Sequence, residues 1–314
     1  MFFEGSEKKI EVIFKESLGS LREKPIETWH KLVEASNAKI LSQVSNEKMD
    51  AYLLSESSLF IYDHYLVMIT CGTTHLINAV SELMKSYTPD DVDAFFYERK
   101  NELFPQAQSS HFFEDVKLLQ EWFPGEALRF GQEDEHHLFL FSTTKNYKAE
   151  KDDHTMEVLM HGIDPAIIKT FSECKGCDSQ KLREESGIAN IVNGKIDDYI
   201  FDPVGYSLNA IDGKHYYTIH VTPENFGSYI SFETNAFNSD QQVFWAKKVL
   251  EVFKPRSFDL MLFNNNDIQE PSFDNFVLKR NFSEKIELGY STQYFSFYRP
   301  DKEPQKPLRF KDLP

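Results

Sequence analysis

Tyr52-Leu-Leu-Ser-Glu-Ser-Ser-Leu-Phe60 sets four consecutive polar residues, Ser55 to Ser58, between apolar flanks. Leu53, Leu54, Leu59 and Phe60 read as a buried β-strand, and a strand core does not hold such a polar run unless it is used. Without chemistry, the same residues are a strand end turning over in a serine-rich bend. Working outward, Lys39–Val44 and Tyr65–Thr70 predict neighbouring strands. Cys71-Gly-Thr-Thr74 then breaks the second of them, with a threonine placed to cap a helix over His75–Lys85.

Upstream, Glu7 to Leu21 predicts a helix with Ser6 as its N-cap, because Ile10, Ile13, Phe14 and Leu18 recur at helical spacing. On that helix Glu4, Glu7 and Glu11 would form a carboxylate stripe, ordinarily a solvated one. Downstream, Asp90 to Asn101 reads as a turn and a short segment, His136–Ser142 as a strand, and Lys145–Asp153 as an exposed charged loop. Asp153, Thr155 and Glu157 stand two apart, so in a strand they share one face. Asp164-Pro-Ala opens a helix. Further strands are expected over 199–201, 216–221, 229–233, 257–263 and 293–298, with a helix over 240–253. Arg299–Pro314 carries four prolines among charges and reads as an extended or disordered tail. Lys8-Lys-Ile-Glu-Val-Ile-Phe14 and Lys247-Lys-Val-Leu-Glu-Val-Phe253 echo each other, thin evidence for an internal duplication. Strand-rich stretches with few βαβ alternations predict an α+β fold with antiparallel sheets.

The 314 residues suffice for one large domain or two ordinary ones. A formal net charge of −16 argues against nucleic acid and anionic membranes as partners and suits a small cation. Three cysteines give no disulfide framework, and Met1-Phe-Phe-Glu-Gly lacks a basic leader; the expectation is a soluble cytoplasmic protein. Cys174-Lys-Gly-Cys177 has metal-knuckle spacing without a second pair, so no metal site is expected. Cys71, read as preceding a helix N-terminus, is expected to have a depressed thiol pKa. Ser207 follows a Pro/Gly turn, and His220 ends a strand four residues before Glu224. Singly, each has an ordinary structural explanation.

In order, these motifs are not ordinary. Phe-Phe-Glu-Gly-x-Glu-Lys at 2–8, Leu-Ser-Glu-Ser-Ser at 54–58 and Thr-Cys-Gly-Thr-Thr at 70–74 resemble the eukaryotic S-adenosylmethionine decarboxylases. So do Phe-Phe-Tyr-x-Arg-Lys at 95–100, Glu-Ser-Gly-Ile at 185–188 and Gly-Tyr-Ser-x-Asn at 205–209. Thr-Ile-His-Val-Thr-Pro-Glu at 218–224, Ser-Phe-Glu-Thr-Asn at 231–235 and Val-Phe-Lys-Pro at 252–255 complete the series.

The resemblance implies a four-layer α/β/β/α sandwich and a proenzyme that cuts itself between Glu56 and Ser57. A β chain of residues 1–56 and an α chain of residues 57–314 would result, the latter headed by a pyruvoyl group made from Ser57. That cofactor forms a Schiff base with the substrate amine and acts as electron sink for decarboxylation. By resemblance His220 is the base of the self-cleavage, Ser207 steadies its ester stage and Cys71 protonates the product. Glu4 and Glu7 match an acidic active-site pair. Phe3 and Phe201 would sandwich the adenine of S-adenosylmethionine, Glu56 and Glu224 would bind its ribose, and Leu54 would lie nearby.

Glu11, Asp153, Thr155, Glu157 and Glu233 match the site at which animal-type members bind putrescine, with Phe96, Arg99, Phe263 and Tyr294 in a linking layer. Ile69 departs from that pattern, which has a lysine there. A homodimer of αβ units is implied. The alternative, a catalytically inactive regulatory paralogue that pairs with an active subunit, typically lacks the cleavage-site serine; here Ser57, Cys71, Ser207 and His220 all stand.

Overall fold

Lys8–Phe14 forms a β-strand, β1, where a helix was expected. Ile10, Val12 and Phe14 join a hydrophobic cluster on one face, while Lys9 and Glu11 line a small cavity on the other. Residues 10, 13 and 14 fit a helical period, but 10, 12 and 14 fit a strand equally, and the β-branched Ile10, Val12 and Ile13 suit a pleat. Pairing along both edges of β1 settles the choice. Ser6 is accordingly no helix cap; its hydroxyl donates to the Asn101 carbonyl.

A computed structural model describes residues 3–144, 147–174, 176–224 and 227–300. After β1 come β2 (Ile40–Ser45), β3 (Asp50–Leu54), β4 (Ser57–Ile61), β5 (Tyr65–Thr70), β6 (Val92–Lys100), β7 (Gly125–Phe130) and β8 (Leu138–Thr143). The second half supplies β9 (Thr155–His161), β10 (Lys195–Ile200), β11 (Tyr206–Asp212), β12 (His215–Thr222), β13 (Tyr229–Thr234), β14 (Ser257–Asn264), β15 (Val277–Lys285) and β16 (Ser291–Tyr298). Helices α1 (Ile26–Ala35), α2 (Leu76–Leu83) and α3 (Phe112–Trp122) belong to the first half, and α4 (Pro165–Ser172), α5 (Ser179–Ser186) and α6 (Ser239–Phe253) to the second.

Two eight-stranded sheets result, in the orders β2-β3-β4-β5-β1-β6-β8-β7 and β10-β11-β12-β13-β9-β14-β16-β15. The second order is the first shifted by eight, so β9 occupies the place of β1. The echo between residues 8–14 and 247–253 does not mark this repeat, because it pairs a strand with α6. Every strand pairing is antiparallel, as the α+β expectation required.

Alternation along the strands sorts the core into layers. Phe95, Tyr97 and Leu59 pack with Trp29, Val80 and Leu119 of α1, α2 and α3. Val158, Ile219 and Phe232 pack with Phe171, Leu182 and Val249 of α4, α5 and α6. Between the sheets, Phe96 and Leu140 meet Leu159 and Phe263, and Phe60 and Ile69 meet Ile211 and Tyr216. The architecture is therefore helix, sheet, sheet, helix.

Several local expectations change. Residues 52–60 are not one strand but the hairpin β3–β4, turning at Ser55-Glu56. Residues 92–100 are a nine-residue strand rather than a short segment. The helix after Cys71 begins at Leu76 with His75 at its N-cap; Thr74 instead donates its hydroxyl to the Cys71 carbonyl. Asp153 is not an exposed loop residue, since Tyr290 donates to its carboxylate between the sheets. Cys174 and Cys177 form a disulfide where none was expected; the turn through Gly176, at φ +69°, brings their Cα atoms to 5.3 Å. Residues 145–146 and, of the expected tail, residues 301–314 lie outside the described residues. Among the described residues no helix is long and apolar enough to cross a membrane.

Phe95 is fully buried and stacks on Phe123 at 4.8 Å between the first sheet and its helices. Phe95→Ala is expected to cost about 3–5 kcal/mol of folding stability. A lowered urea midpoint with an unchanged denaturant slope would register it.

Candidate active site

The polar run sits at the tip of the β3–β4 hairpin, where Leu54 pairs with Ser57 across the two-residue turn. Ser57 in turn pairs with Thr70 at the end of β5, which brings Cys71 against the turn. The Glu56 carbonyl accepts the Cys71 backbone N–H at 3.0 Å and faces the Cys71 thiol at 3.4 Å. The peptide between Glu56 and Ser57 is thus held at its oxygen.

Ser57 has φ +138°, a strained value for a residue with a side chain. Its strand explains why. Alternation sends Ser58 and Phe60 between the sheets, and Leu59 and Ile61 towards the helices. Ser57 would follow Leu59, yet its twisted backbone lets both serines reach one imidazole. Ser57 Oγ and Ser58 Oγ each stand 3.0 Å from His220 Nε2, as does Thr218 Oγ1.

His220 is buried on β12, and its Nδ1 lies 2.5 Å from Glu7 Oε1. Burial opposes ionisation of Glu7, but Lys100, His220 and Ser231 outweigh it and hold this carboxyl well below the usual range. Lys100 Nζ is 3.0 Å from Glu7 Oε2, and Ser231 Oγ donates to Oε1 at 2.6 Å. Beside a carboxylate, Nδ1 carries the ring proton and Nε2 presents its lone pair to the hydroxyls. Ser58 already donates to Asn209 Oδ1 at 2.6 Å, so its proton is committed elsewhere. Ser57 is free to give its proton to His220. Ser207, also buried, lies directly opposite His220 in the β11–β12 register.

The remaining expected residues divide. Glu56 lies at the turn; burial pushes its carboxyl up to about 7, and its buried Oε2 has no partner among the described residues. Gly72, at φ +64°, is needed beside it, because a Cβ there would stand 3.0 Å from the Phe3 ring and 3.2 Å from Glu56 Oε2. Phe3 donates its backbone N–H to Glu224 Oε1 at 3.0 Å, and its ring is exposed. Phe201 is half-buried beyond β10, edge-on to Tyr199. Leu54 turns its side chain into the helix-side core, so its backbone borders the turn.

Glu4 does not join His220. Its carboxylate accepts the backbone N–H groups of Leu103 and Phe104, at 2.8 and 3.0 Å, and its carbonyl accepts that of Gly72. The Cys71 thiol also departs from expectation. Burial, reinforced by Glu56 and Glu7, raises its pKa well above the usual value, and no helix begins close enough to oppose this. Cys71 keeps its proton.

Glu11, Asp153, Thr155, Glu157 and Glu233 gather in the layer between the sheets, but not alone. Lys9 Nζ lies 2.6 Å from Glu157, 3.1 Å from Glu233 and 3.2 Å from Glu98. Lys100 Nζ joins Glu157, at 3.2 Å, to Glu7. Ion pairs therefore run from Lys9 through Glu157, Lys100 and Glu7 to His220. Phe96 and Phe263 line the adjoining cavity, and Tyr294 donates to the His136 carbonyl in the same layer. Arg99 does not belong there. Alternation along β6 turns it to the helix side, where it binds Asp115 at 2.6 Å and Glu102 at 2.7 Å.

Burial and Asp153 push Glu11 up to about 8, and burial and Glu157 do the same for Glu98. Folded protein thus keeps protons that the unfolded chain releases from its ordinary carboxylate pKa upward. Stability should fall as pH rises from about 5 to 8, by on the order of 1 kcal/mol per pH unit. Glu7, depressed instead, adds stability that is lost only at acid pH. Urea midpoints across pH 5–8 should show this slope, and Glu11→Gln should reduce it to the share that Glu98 contributes.

The family model for adenosylmethionine decarboxylase matches residues 1–304. The S-adenosylmethionine decarboxylase proenzyme of Dictyostelium discoideum is 35% identical over 96% of this chain and 87% of its own length. Those of Onchocerca volvulus and Xenopus laevis are 39% and 38% identical, each over 84% of this chain and over 76% and 84% of their own lengths. In fold, the chain is similar to the Trypanosoma brucei AdoMetDC-delta26 monomer, with TM-score 0.59 at 24% identity over 77% of this chain and 99% of that one. The chain belongs to the adenosylmethionine decarboxylase family.

Proposed function

We propose that this chain is a proenzyme that severs its own Glu56–Ser57 bond and then decarboxylates S-adenosylmethionine, yielding the aminopropyl donor for spermidine and spermine. One observation carries the reading. Ser57 Oγ faces the His220 lone pair at 3.0 Å while the carbonyl it must attack is held by Cys71 N–H.

The steps follow from these atoms. His220 Nε2 takes the Ser57 hydroxyl proton, and Oγ attacks the Glu56 carbonyl carbon. Charge developing on the Glu56 oxygen meets the Cys71 N–H, the role of an oxyanion donor. Collapse breaks the C–N bond as the His220 imidazolium passes its proton to the departing nitrogen, leaving an ester on Oγ, a free amine on Ser57 and a neutral imidazole. A base, His220 in this reading, then removes the Ser57 α-proton, and β-elimination expels residues 1–56 with Glu56 as their carboxyl terminus. The dehydroalanine tautomerises to an imine, and water releases ammonia to leave the pyruvoyl group. Glu7 holds the imidazole in one tautomer throughout, and Ser207 stands across from it for the ester stage.

The surroundings of Ser57 fit such a group: the residue is 1% exposed, between an imidazole lone pair and a protonated thiol. A pyruvoyl ketone would supply the electron sink for loss of carbon dioxide from an amino acid. Cys71, which retains its proton, would deliver it to the substrate carbon. Glu56 Oε2, without a partner among the described residues, is an acceptor suited to a ribose hydroxyl, and Glu224 holds Phe3 where a planar base can stack. Glu4 acts from behind, fixing the 103–104 backbone and Gly72. Glu11, Asp153, Thr155, Glu157 and Glu233 form the place at which putrescine would act, and homodimerisation of αβ units belongs to the same reading.

Denaturing electrophoresis with intact mass should show chains 1–56 and 57–314, the larger one reactive towards carbonyl reagents. A single uncut chain of 36.6 kDa, unreactive to them, would overturn the reading. His220→Ala should accumulate uncut protein, because it removes the base of both the attack and the elimination, and Ser57→Ala should stay uncut for want of the attacking oxygen.

A further inference from the structure

We propose that Cys174 and Cys177 are a reversible thiol–disulfide couple, exchanging with low-molecular-weight disulfides, whose bond sets the elbow between α4 and α5 and through it the position of Tyr206 beside Ser207. The thiol chemistry stands apart from the decarboxylase reading; its effect on turnover rests on that reading.

The pair is built to open and close. Cys174-Lys-Gly-Cys177 lies in the connection between α4, which ends at Ser172, and α5, which begins at Ser179. Gly176 takes φ +69°, which a side chain disfavours, and the turn sets the two Cα atoms 5.3 Å apart, inside the range a disulfide spans. Both cysteines are half-buried, and Gly176 is exposed with open space where a Cβ would stand. A small disulfide can therefore reach the sulfurs. The bond spans only two intervening residues. Closing so short a loop constrains the unfolded chain less than a bridge across a long one, and accessible bridges are those that exchange.

The incoming disulfide balances the reaction. One cysteine thiolate attacks a sulfur of the small disulfide, whose S–S bond breaks and releases one thiol. The other cysteine thiolate then attacks the protein-side sulfur of the mixed disulfide, closing the Cys174–Cys177 bond and expelling the second thiol. Two electrons pass from the cysteines to the small disulfide, and the two released thiols carry the protons that the cysteines gave up. Excess thiol runs the same steps backward.

Helices α4 and α5 grip one residue between them. Phe171 on α4 sets its ring 5.6 Å from that of Tyr206. Arg183 on α5 pairs with Asp198, to which Tyr206 donates its hydroxyl at 2.8 Å. Tyr206 is fully buried and pairs with Ile200 across the β10–β11 register. Phe201 follows Ile200, and its N–H donates to the Gly205 carbonyl at 2.9 Å. On the other side of Tyr206 stands Ser207, opposite His220. A change in the angle between the two helices thus reaches the tyrosine that separates the Phe201 turn from Ser207. Cys174 and Cys177 pack against the same core as Phe171 and Leu182, so opening their bond is felt there.

The test equilibrates the purified protein in graded ratios of glutathione to glutathione disulfide, traps free thiols with iodoacetamide and digests with a glutamate-specific protease, which leaves residues 174–184 in one peptide. That peptide should pass from dialkylated to unalkylated and ring-closed as the disulfide fraction rises, and back again. In the reduced form kcat/KM should fall at least about threefold below the oxidised form and recover on reoxidation, with faster hydrogen exchange over residues 195–212. Cys174→Ser combined with Cys177→Ser should show the reduced value in both buffers; if it does not fold, Cys177→Ser alone takes its place.

A peptide that stays dialkylated in excess glutathione disulfide, stops at a glutathione adduct, or stays ring-closed in excess thiol would overturn the proposal. So would equal kcat/KM and equal exchange in the two forms, or a redox response that persists in the serine variants and therefore belongs to Cys71. A wild type without turnover in either state would overturn the functional reading instead; the peptide and the exchange over residues 195–212 would then decide the couple.

Discussion

Everything at the site depends on Glu7 staying ionised between two sheets. A buried carboxylate is costly unless paired and hydrogen-bonded, and Glu7 is given Lys100, Ser231, Tyr229 and the His220 N–H at once. These partners come from both sheets: Lys100 from β6 beside β1, the others from β12 and β13. The sandwich must therefore close before the imidazole acquires its orientation. The geometry at Ser57 is a property of the assembled fold, not of the hairpin that carries it.

The repeated strand order bears on how such a layer arises. Each sheet places its equivalent central strand, β1 or β9, with one face towards the other sheet. β1 contributes Lys9 and Glu11 to that layer, and β9 contributes Thr155 and Glu157. Charged groups alternate with helix-facing Ile10 and Val12, or Met156 and Val158, on the same strands. Two half-polar strands can be buried centrally because each supplies the counter-ions of the other.

Much of this was legible in the residues. The α+β class and most strand positions follow from the residue pattern, and the gathering of residues 57, 71, 207 and 220 from the family resemblance that the ordered motifs carry. Residues 8–14 were misread because short apolar patterns satisfy two periods, and only pairing on both edges decides between them. That error hid Lys9, and reading residues 90–101 as a turn and a short segment hid Lys100, since a lysine beside glutamates reads as solvated unless its strand is known to be central. Arg99 was misplaced for the converse reason: β6 alternates, and Arg99 falls on the opposite face from Glu98 and Lys100. Thr218, Ser231 and Asn209 stand within quoted motifs but were given no role there. Their roles arise from cross-strand neighbours that a linear pattern does not name.

The hairpin position of the Glu56–Ser57 bond has a further consequence. Strands β1, β2 and β3 precede the bond, and β1 lies between β5 and β6, which follow it. Severing the bond would convert a continuous sheet into one woven from two polypeptides, its middle strand borrowed from the shorter. Folding and cutting then acquire a fixed order, because the fragments would have to find each other by diffusion to rebuild the sheet. Each molecule would fold as a single chain only once, and unfolding after the cut would carry it into a second-order problem that grows worse with dilution.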